Sequence, residues 1–178
     1  MKYPSFLKEH STIGIPAPSS GAYNECKINR FKHATSFFEK KGYQLIPSDN
    51  LYKSERGRSA SAKERGKEIT EMFKNKEIDA IICATGGDFL IEILPFVNFE
   101  EIVKNPKFVM GLSDPTGLLY PITSKYDIAT IYGSNFSPFG AEKVHKSQLD
   151  ALELLEGKTL EVHSYDKYAG DYQEEITG

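Results

Sequence analysis

Short apolar runs alternate along the chain with longer segments in which apolar residues recur every three or four positions. The short runs are typical of buried strands, and the longer segments are typical of helices with one apolar face. The runs predict strands that open at Thr12 and cover Tyr43–Pro47, Ile78–Ala84, Phe108–Met110, Asp127–Tyr132 and Thr159–Tyr165. Because strands and helices alternate, we predict an α/β fold in which a parallel sheet is flanked by helices on both faces.

The helices are predicted from their apolar stripes and from residues that typically begin or end a helix. Asn29 is a candidate N-cap for the first helix, and Gly42 is placed to end it. Ser61 and Glu64 fit a capping box, which predicts a second helix that runs to about residue 75. Further helical segments cover Phe89–Leu94, the stretch opened by Pro115 and Thr116, and Ala141–Leu155.

The strongest candidate for a catalytic residue follows the fourth predicted strand. That strand breaks at Gly111, and a helix is predicted to begin shortly after Ser113. A serine on such a sharp turn has the geometry of a nucleophile elbow, next to backbone N–H groups that can stabilise an anion. The G-x-S-x-G pattern is not completed, because Pro115 stands at the second glycine. An ordinary turn capped by Ser113 or Asp114 is the alternative.

Two other loops are expected at the same edge of the sheet. Gly86 and Gly87 follow the strand Ile78–Ala84, where glycines allow a backbone to approach a ligand closely, although a tight turn explains them equally well. Because adjacent parallel strands end at one edge, we expect these glycines beside Ser113. The loop that contains Ser19, after the first strand, is either part of this ligand-binding edge or a simple turn.

Composition narrows the class of protein. The chain has 178 residues, 39% of them hydrophobic, which suits one ordinary domain, and its net charge of −3 gives no case for nucleic acid or an anionic membrane. No run is long enough to span a bilayer, and the early charges at Lys2, Lys8 and Glu9 argue against a signal peptide. Cys26 and Cys83 are too few for a disulfide framework, and no Cys/His cluster has metal-site spacing. We therefore expect a cytoplasmic protein without a metal or cofactor.

Six stretches taken together carry a more specific signal than any one motif. They are Ile13–Ser19, Arg58–Arg65, Ile78–Gly87, Leu94–Phe99, Gly111–Thr116 and Tyr132–Phe136. In this order and at this spacing they resemble the N-terminal domain of the LD-carboxypeptidase family of serine peptidases, and within it the branch that includes microcin C immunity peptidases. The resemblance covers nearly the whole chain and implies the N-terminal domain of a two-domain peptidase.

The resemblance implies roles for particular residues. Ser113 would be the nucleophile, in the family's G-x-S-D-x-T elbow, and the backbone N–H groups of Gly87 and Asp114 would form the oxyanion hole. We expect Gly86 and Ser19 to contact the substrate. By this resemblance the substrate is a peptide or amide cut near a free carboxylate, either the L,D bond of a muropeptide or an aminoacyl-nucleotide-like amide.

Part of the family's catalytic triad has no counterpart in the chain. The family supplies a Glu and a His from a C-terminal domain, and a serine hydroxyl is a weak nucleophile without a base. None of the four histidines is placed by sequence to serve Ser113: His10, His33, His145 and His163. We therefore assign residues 1–157 to a nucleophile-bearing domain and 158–178 to a linker or the start of an absent C-terminal domain. We expect the chain to be inactive alone and to form homodimers through the apolar surface left uncovered.

A second class of function competes with the enzyme. A non-catalytic domain that binds a small peptide, or a degenerate peptidase, fits the same motifs if no base is ever supplied to Ser113. A mononucleotide-binding domain that uses Gly86 and Gly87 as a phosphate loop is the weakest alternative, because neither G-x-G-x-x-G nor the P-loop pattern is present.

Overall fold

A central sheet of five parallel strands organises the protein. The computed structural model describes residues 1–164, 167–169 and 175–177. The strands lie in the order β2–β1–β3–β4–β5, and this arrangement confirms the predicted α/β fold. Their bounds are β1 (Thr12–Ile15), β2 (Gln44–Pro47), β3 (Ala80–Ile82), β4 (Phe108–Gly111) and β5 (Ile131–Tyr132).

Helices connect these strands and follow the last of them. Those of the described chain are α1 (Glu25–Lys40), α2 (Ala62–Lys74), α3 (Phe99–Lys104), α4 (Thr116–Ser124) and α5 (Lys146–Leu155), with 3₁₀ helices at Leu90–Phe96 and Ser137–Gly140. None of these helices is both long and apolar enough to cross a membrane. An antiparallel pair, β6 (Lys167–Ala169) and β7 (Glu175–Thr177), falls within residues 158–178. The assignment of that segment to a linker or a further domain stays a prediction.

Helices cover both faces of the sheet. In β3, Ala80 and Ile82 lie in a core shared with α1 and α5, whereas Ile81 lies in a second core shared with α2 and α4. Successive residues of a strand point to opposite faces, so both faces of a doubly covered sheet need apolar side chains. This arrangement explains why the central strands are apolar without interruption.

The first helix begins one turn earlier than predicted. Asn24, not Asn29, is its N-cap, and the Asn24 side chain accepts a hydrogen bond from the Lys27 N–H (2.9 Å). Ile28 is packed against the core from the first turns of α1, so the apolar stripe starts before Asn29. The other predicted caps are confirmed: Ser61 and Glu64 form the capping box of α2, and Gly42, with φ of 88°, follows the end of α1.

Predictions near the C-terminal end were less accurate. The helix predicted at Ala141–Leu155 begins only at Lys146, because the extended backbone of His145 makes that residue the N-cap of α5. Residues 159–164 form no strand, and Leu160 stays 78% exposed. Residue 165, the last of that predicted strand, lies outside the described residues. Without a neighbouring strand, an apolar run of this length has nothing to pair with.

Further differences concern the lengths of two strands and one short helix that was not predicted. The predicted strands Ile78–Ala84 and Asp127–Tyr132 shorten to β3 and β5. The six-residue α3 was missed, because so short a helix shows no clear 3.6-residue period. The strand before the glycine loop ends two residues earlier than predicted, but the loops after β1, β3 and β4 still meet at one edge of the sheet.

Candidate active site

Ser113 stands on a strained turn between β4 and α4. Its φ is 66°, a left-handed backbone conformation that costs a residue with a side chain about 1–2 kcal/mol. The turn is closed by two hydrogen bonds, from the Thr116 N–H to the Ser113 carbonyl and from the Gly117 N–H to the Asp114 carbonyl (both 2.9 Å). The Ser113 side chain is exposed. A strained turn that holds a serine out of the fold is the geometry of a nucleophile elbow.

Close packing and an asparagine hold the elbow in place. A Cβ on Gly111 would lie 2.7 Å from the Pro115 Cβ, so the sharp turn requires glycine at this position. Asn135, in the loop after β5, accepts a hydrogen bond from the Leu112 N–H (2.9 Å) and donates one to the Leu112 carbonyl (3.0 Å). In the sequence, Asn135 stands only within the stretch Tyr132–Phe136 that contributes to the family resemblance. A lone asparagine in a turn-rich loop gives no signal of such pairing.

The two glycines after β3 lie between Ser113 and Ser19. A Cβ on Gly86 would lie 3.5 Å from Ser113 Oγ, and a Cβ on Gly87 would lie 2.2 Å from Ser19 Oγ. Gly86 therefore lies beside Ser113, as expected, whereas Gly87 lies against Ser19. At Gly87 the structure tolerates no side chain, whereas at Gly86 a methyl group would only touch the serine.

Asp114 ties three loops together through its carboxylate. One oxygen, Oδ2, accepts hydrogen bonds from the Ser19 hydroxyl and from the Leu90 N–H, the latter at 2.9 Å. Ser19 follows β1, Leu90 follows the glycine loop after β3, and Asp114 follows β4. Ser19 is fully buried. Its hydroxyl therefore supports the elbow, and the predicted contact of Ser19 with substrate stays a prediction.

The two N–H groups assigned to the oxyanion hole have no acceptor within the described chain. Neither the Gly87 N–H nor the Asp114 N–H donates a hydrogen bond to a described residue. Free N–H groups beside an exposed serine are what an oxyanion hole requires. Their assignment stays a prediction.

An open cleft borders this arrangement on the side of β1. Its volume is about 690 Å³, and the loop between β2 and α2 lines it. Ser59 of that loop lies on the cleft, and its N–H donates to the Ser19 carbonyl (3.1 Å). The cleft therefore shares a wall with the loop that holds Asp114.

The histidines are all exposed and none of them bonds to Ser113 within the described chain. They are His10, His33, His145 and His163. The His145 ring accepts a hydrogen bond from the Ser147 N–H (3.2 Å) and caps α5. Among the described residues no group of His, Cys, Asp or Glu side chains is arranged to hold a metal ion. The site so far contains a candidate nucleophile and candidate anion-binding N–H groups without an assigned base.

An exposed serine on a strained strand-to-helix turn of a parallel sheet is the arrangement found in α/β proteins with a nucleophile elbow. Residues 13–133 match the model of the LD-carboxypeptidase N-terminal domain. The chain therefore belongs to this family, as the motifs suggested.

Two relatives with descriptive names support the same family assignment. The microcin C7 self-immunity protein MccF of Escherichia coli is 36% identical over 159 residues, which are 86% of this chain and 45% of MccF. A Bacillus subtilis protein named "Probable murein peptide carboxypeptidase" is 31% identical over 143 residues, or 80% of this chain and 44% of that protein. The chain thus spans about half the length of the relatives that it matches.

A solved structure extends the likeness to the fold. MccF in complex with aspartyl sulfamoyl adenosine superposes with a TM-score of 0.84 at 28% identity and covers 98% of this chain and 54% of MccF. The five-stranded sheet and its helices are therefore those of the N-terminal half of MccF.

Proposed function

We propose that this chain is the nucleophile-bearing domain of a serine carboxypeptidase that hydrolyses a peptide or amide bond near a free carboxylate. The observation that carries the proposal is the strained, exposed Ser113 beside Gly86 and Gly87. Membership of the LD-carboxypeptidase family supports the same reaction.

In this reaction Ser113 Oγ attacks the carbonyl carbon of the scissile bond while a base takes the hydroxyl proton. The carbonyl oxygen becomes an oxyanion and accepts hydrogen bonds from the N–H groups of Gly87 and Asp114. The base then gives its proton to the leaving nitrogen as the C–N bond breaks. Water attacks the resulting acyl-serine by the same route, which releases the carboxylic acid and restores Ser113.

The base is the part that the described residues do not supply. We propose that it is a His oriented by a Glu, both from a second domain, because the matched relatives are about twice as long as this chain. Two substrates follow from the relatives' names: a murein peptide, and an aminoacyl nucleotide of the kind that MccF was solved with.

The decisive experiment substitutes Ser113 in the protein expressed to the end of its reading frame. Ser113→Ala should lower kcat/KM on an L,D-tetrapeptide or on aspartyl sulfamoyl adenosine at least about 10⁴-fold, since removing a serine nucleophile has effects of this size. The matched control is Ser124→Ala, at the exposed end of α4, which should leave the rate unchanged. Hydrolysis that survives Ser113→Ala would refute the nucleophile assignment.

A second arm tests where the base lies. Residues 1–178 alone should hydrolyse neither substrate. If this chain alone cleaved one of them in a Ser113-dependent way, the proposed second domain would not be needed. A full protein that binds a peptide but cleaves none would favour the non-catalytic alternative.

A further inference from the structure

A buried arginine of α2 contacts both loops that flank the proposed oxyanion hole. Arg65 is fully buried and donates four hydrogen bonds. Its Nε donates to the Ala60 carbonyl (3.0 Å), and Nη2 donates to Glu92 (3.0 Å). Its Nη1 donates to two carbonyls at once, those of Pro18 (2.6 Å) and Phe89 (3.1 Å). One nitrogen atom therefore joins the loop after β1 to the loop after β3.

Both carbonyls belong to segments that shape the site. Pro18 precedes Ser19, whose hydroxyl bonds to the Asp114 carboxylate. Phe89 lies two residues after Gly87 and precedes Leu90, whose N–H bonds to the same carboxylate. Arg65 thus joins two loops that each donate a hydrogen bond to the Asp114 carboxylate, one through Ser19 and the other through Leu90. All of these contacts are within the chain, so Arg65 can influence the site without touching the substrate.

A guanidinium group suits this position because all three of its nitrogens donate, to four acceptors in different directions. Arginine offers five N–H donors in a rigid planar fork, whereas lysine offers a single ammonium centre on a flexible stem. A buried cation also needs a nearby anion, and Glu92 supplies it. Glu92 is held in turn by Arg58 at 2.6 and 2.8 Å. Burial lowers the pKa of Arg65, and Glu92 opposes that change and keeps the group charged.

We propose that Arg65 is a positioning residue that sets the geometry of the oxyanion hole by holding the Pro18 and Phe89 carbonyls together. This inference rests on the proposed function, because it assumes that the Gly87 and Asp114 N–H groups stabilise an oxyanion. An oxyanion forms only after attack on the substrate, so a misplaced hole slows the chemical step more than it weakens substrate binding.

The test replaces Arg65 by lysine, which keeps a positive charge near Glu92 but has three N–H donors on one atom and cannot make the four hydrogen bonds of the planar fork. In the protein expressed to the end of its reading frame, Arg65→Lys should lower kcat about 10–100-fold with KM changed less than about threefold, since a displacement near 1 Å can cost about 100-fold. The matched control is Arg58→Lys, because Arg58 pairs with the same Glu92 and lies 3.6 Å over the Phe89 ring but bonds to neither of the two loop carbonyls. It should change kcat much less.

A second readout does not depend on catalysis. In ¹⁵N-labelled residues 1–178, Arg65→Lys should move the amide signals of Gly86, Gly87 and Asp114, while signals from α5 stay in place. Arg58→Lys should move those three signals much less. If Arg65→Lys does not fold, the pair Arg65→Met with Glu92→Met removes the buried charge and its partner together and should move the same signals.

The outcomes separate this inference from the proposed function. Unmoved amide signals in a folded Arg65 variant would overturn the positioning role, whatever the activity. A fall in kcat equal for Arg65→Lys and Arg58→Lys would also overturn it, because the effect would then not depend on the two carbonyls that Arg65 alone holds. A wild-type protein that hydrolyses nothing would refute the proposed function, and the amide signals would still decide whether Arg65 sets the loop spacing.

Discussion

Two serines flank the glycine loop of this protein, and their surroundings are opposite. Ser113 is exposed, has a strained backbone with φ of 66°, and its hydroxyl makes no hydrogen bond within the described chain. Ser19 is fully buried, and its hydroxyl is bonded to Asp114. The residue types are the same, but the fold leaves the Ser113 hydroxyl open to solvent and fixes the Ser19 hydroxyl inside the protein.

The contrast shows how an elbow is supported. A nucleophile must be reachable, so it cannot be fixed by packing of its own side chain. The position of the proposed nucleophile instead depends on the backbone around it, which buried Ser19 and Asn135 hold by hydrogen bonds and to which Arg65 contributes in the role proposed above. Groups that act in the site and groups that hold it are therefore found at opposite extremes of exposure.

The largest loss of activity in this series is expected from a substitution at Gly87, where the glycine loop packs against the loop that contains Ser19. In Gly87→Ala the new Cβ would lie 2.2 Å from Ser19 Oγ, so either the glycine loop moves away or the Ser19 hydroxyl gives up its hydrogen bond to Asp114. We expect kcat/KM to fall about 10²–10³-fold, as for the loss of one oxyanion-hole donor. Kinetics together with a thermal melt would separate this effect from unfolding.

Gly117→Ala is the matched control for that experiment. Its Cβ would meet only the end of the flexible Leu90 side chain, at 3.1 Å, so the neighbour can adjust. A Gly87→Ala protein as active as the Gly117→Ala protein would show that the loop position does not matter to catalysis.

The two serines also show how far sequence reasoning reaches. The elbow and the glycine loop were predictable, because strand, turn and helix signals fix where neighbouring parallel strands end. The family resemblance gave Ser113 its proposed role. The supporting contacts of Ser19, Asn135 and Arg65 were not predictable, because each joins residues far apart in sequence through loop conformations that no local pattern encodes. The first residue of α1 was misjudged for a simpler reason, since two asparagines five positions apart are equally good caps.

A smaller effect is expected from removing the buried hydroxyl itself. Ser19→Ala leaves the Asp114 carboxylate with only the Leu90 N–H, and we expect the free energy of unfolding to fall by about 1.5–3 kcal/mol, typical of a hydrogen bond to a charged group. The rate should fall about tenfold as Asp114 shifts. Ser20→Ala is the control, because buried Ser20 bonds to Ser54 and not to the elbow. Equal rates in the two variants would remove Ser19 from the support of the site.

The strain at Ser113 predicts a variant that gains stability while it loses activity. Ser113→Gly should abolish hydrolysis and yet raise the free energy of unfolding by about 1 kcal/mol relative to Ser113→Ala, because glycine adopts positive φ without the steric cost of a Cβ. Urea denaturation of both variants measures this difference. A glycine variant no more stable than the alanine variant would mean that the turn is not strained.

The smallest expected effect is a pH-dependent change in stability, and it comes from Glu68, which supports the loop that contains Ser19. The half-buried Glu68 carboxylate accepts hydrogen bonds from Ser48 Oγ (2.5 Å) and from the Ala17 N–H (3.2 Å). Burial raises the pKa of Glu68, and these two hydrogen bonds only partly oppose the change. The folded chain therefore holds this proton more tightly than the unfolded chain does. Its contribution to stability is full below the unfolded pKa and declines as the pH rises through the raised folded pKa.

Glu68→Gln cannot titrate, so subtracting its stability from that of the wild type isolates this one group. We expect the difference in the free energy of unfolding, wild type minus Glu68→Gln, to shrink as the pH rises from about 4 to about 7, a range that starts near the ordinary glutamate pKa. Urea denaturation across that range would measure it. A difference that grows with pH would mean that the two hydrogen bonds outweigh burial and that the loop after β1 is held most firmly by the ionised carboxylate.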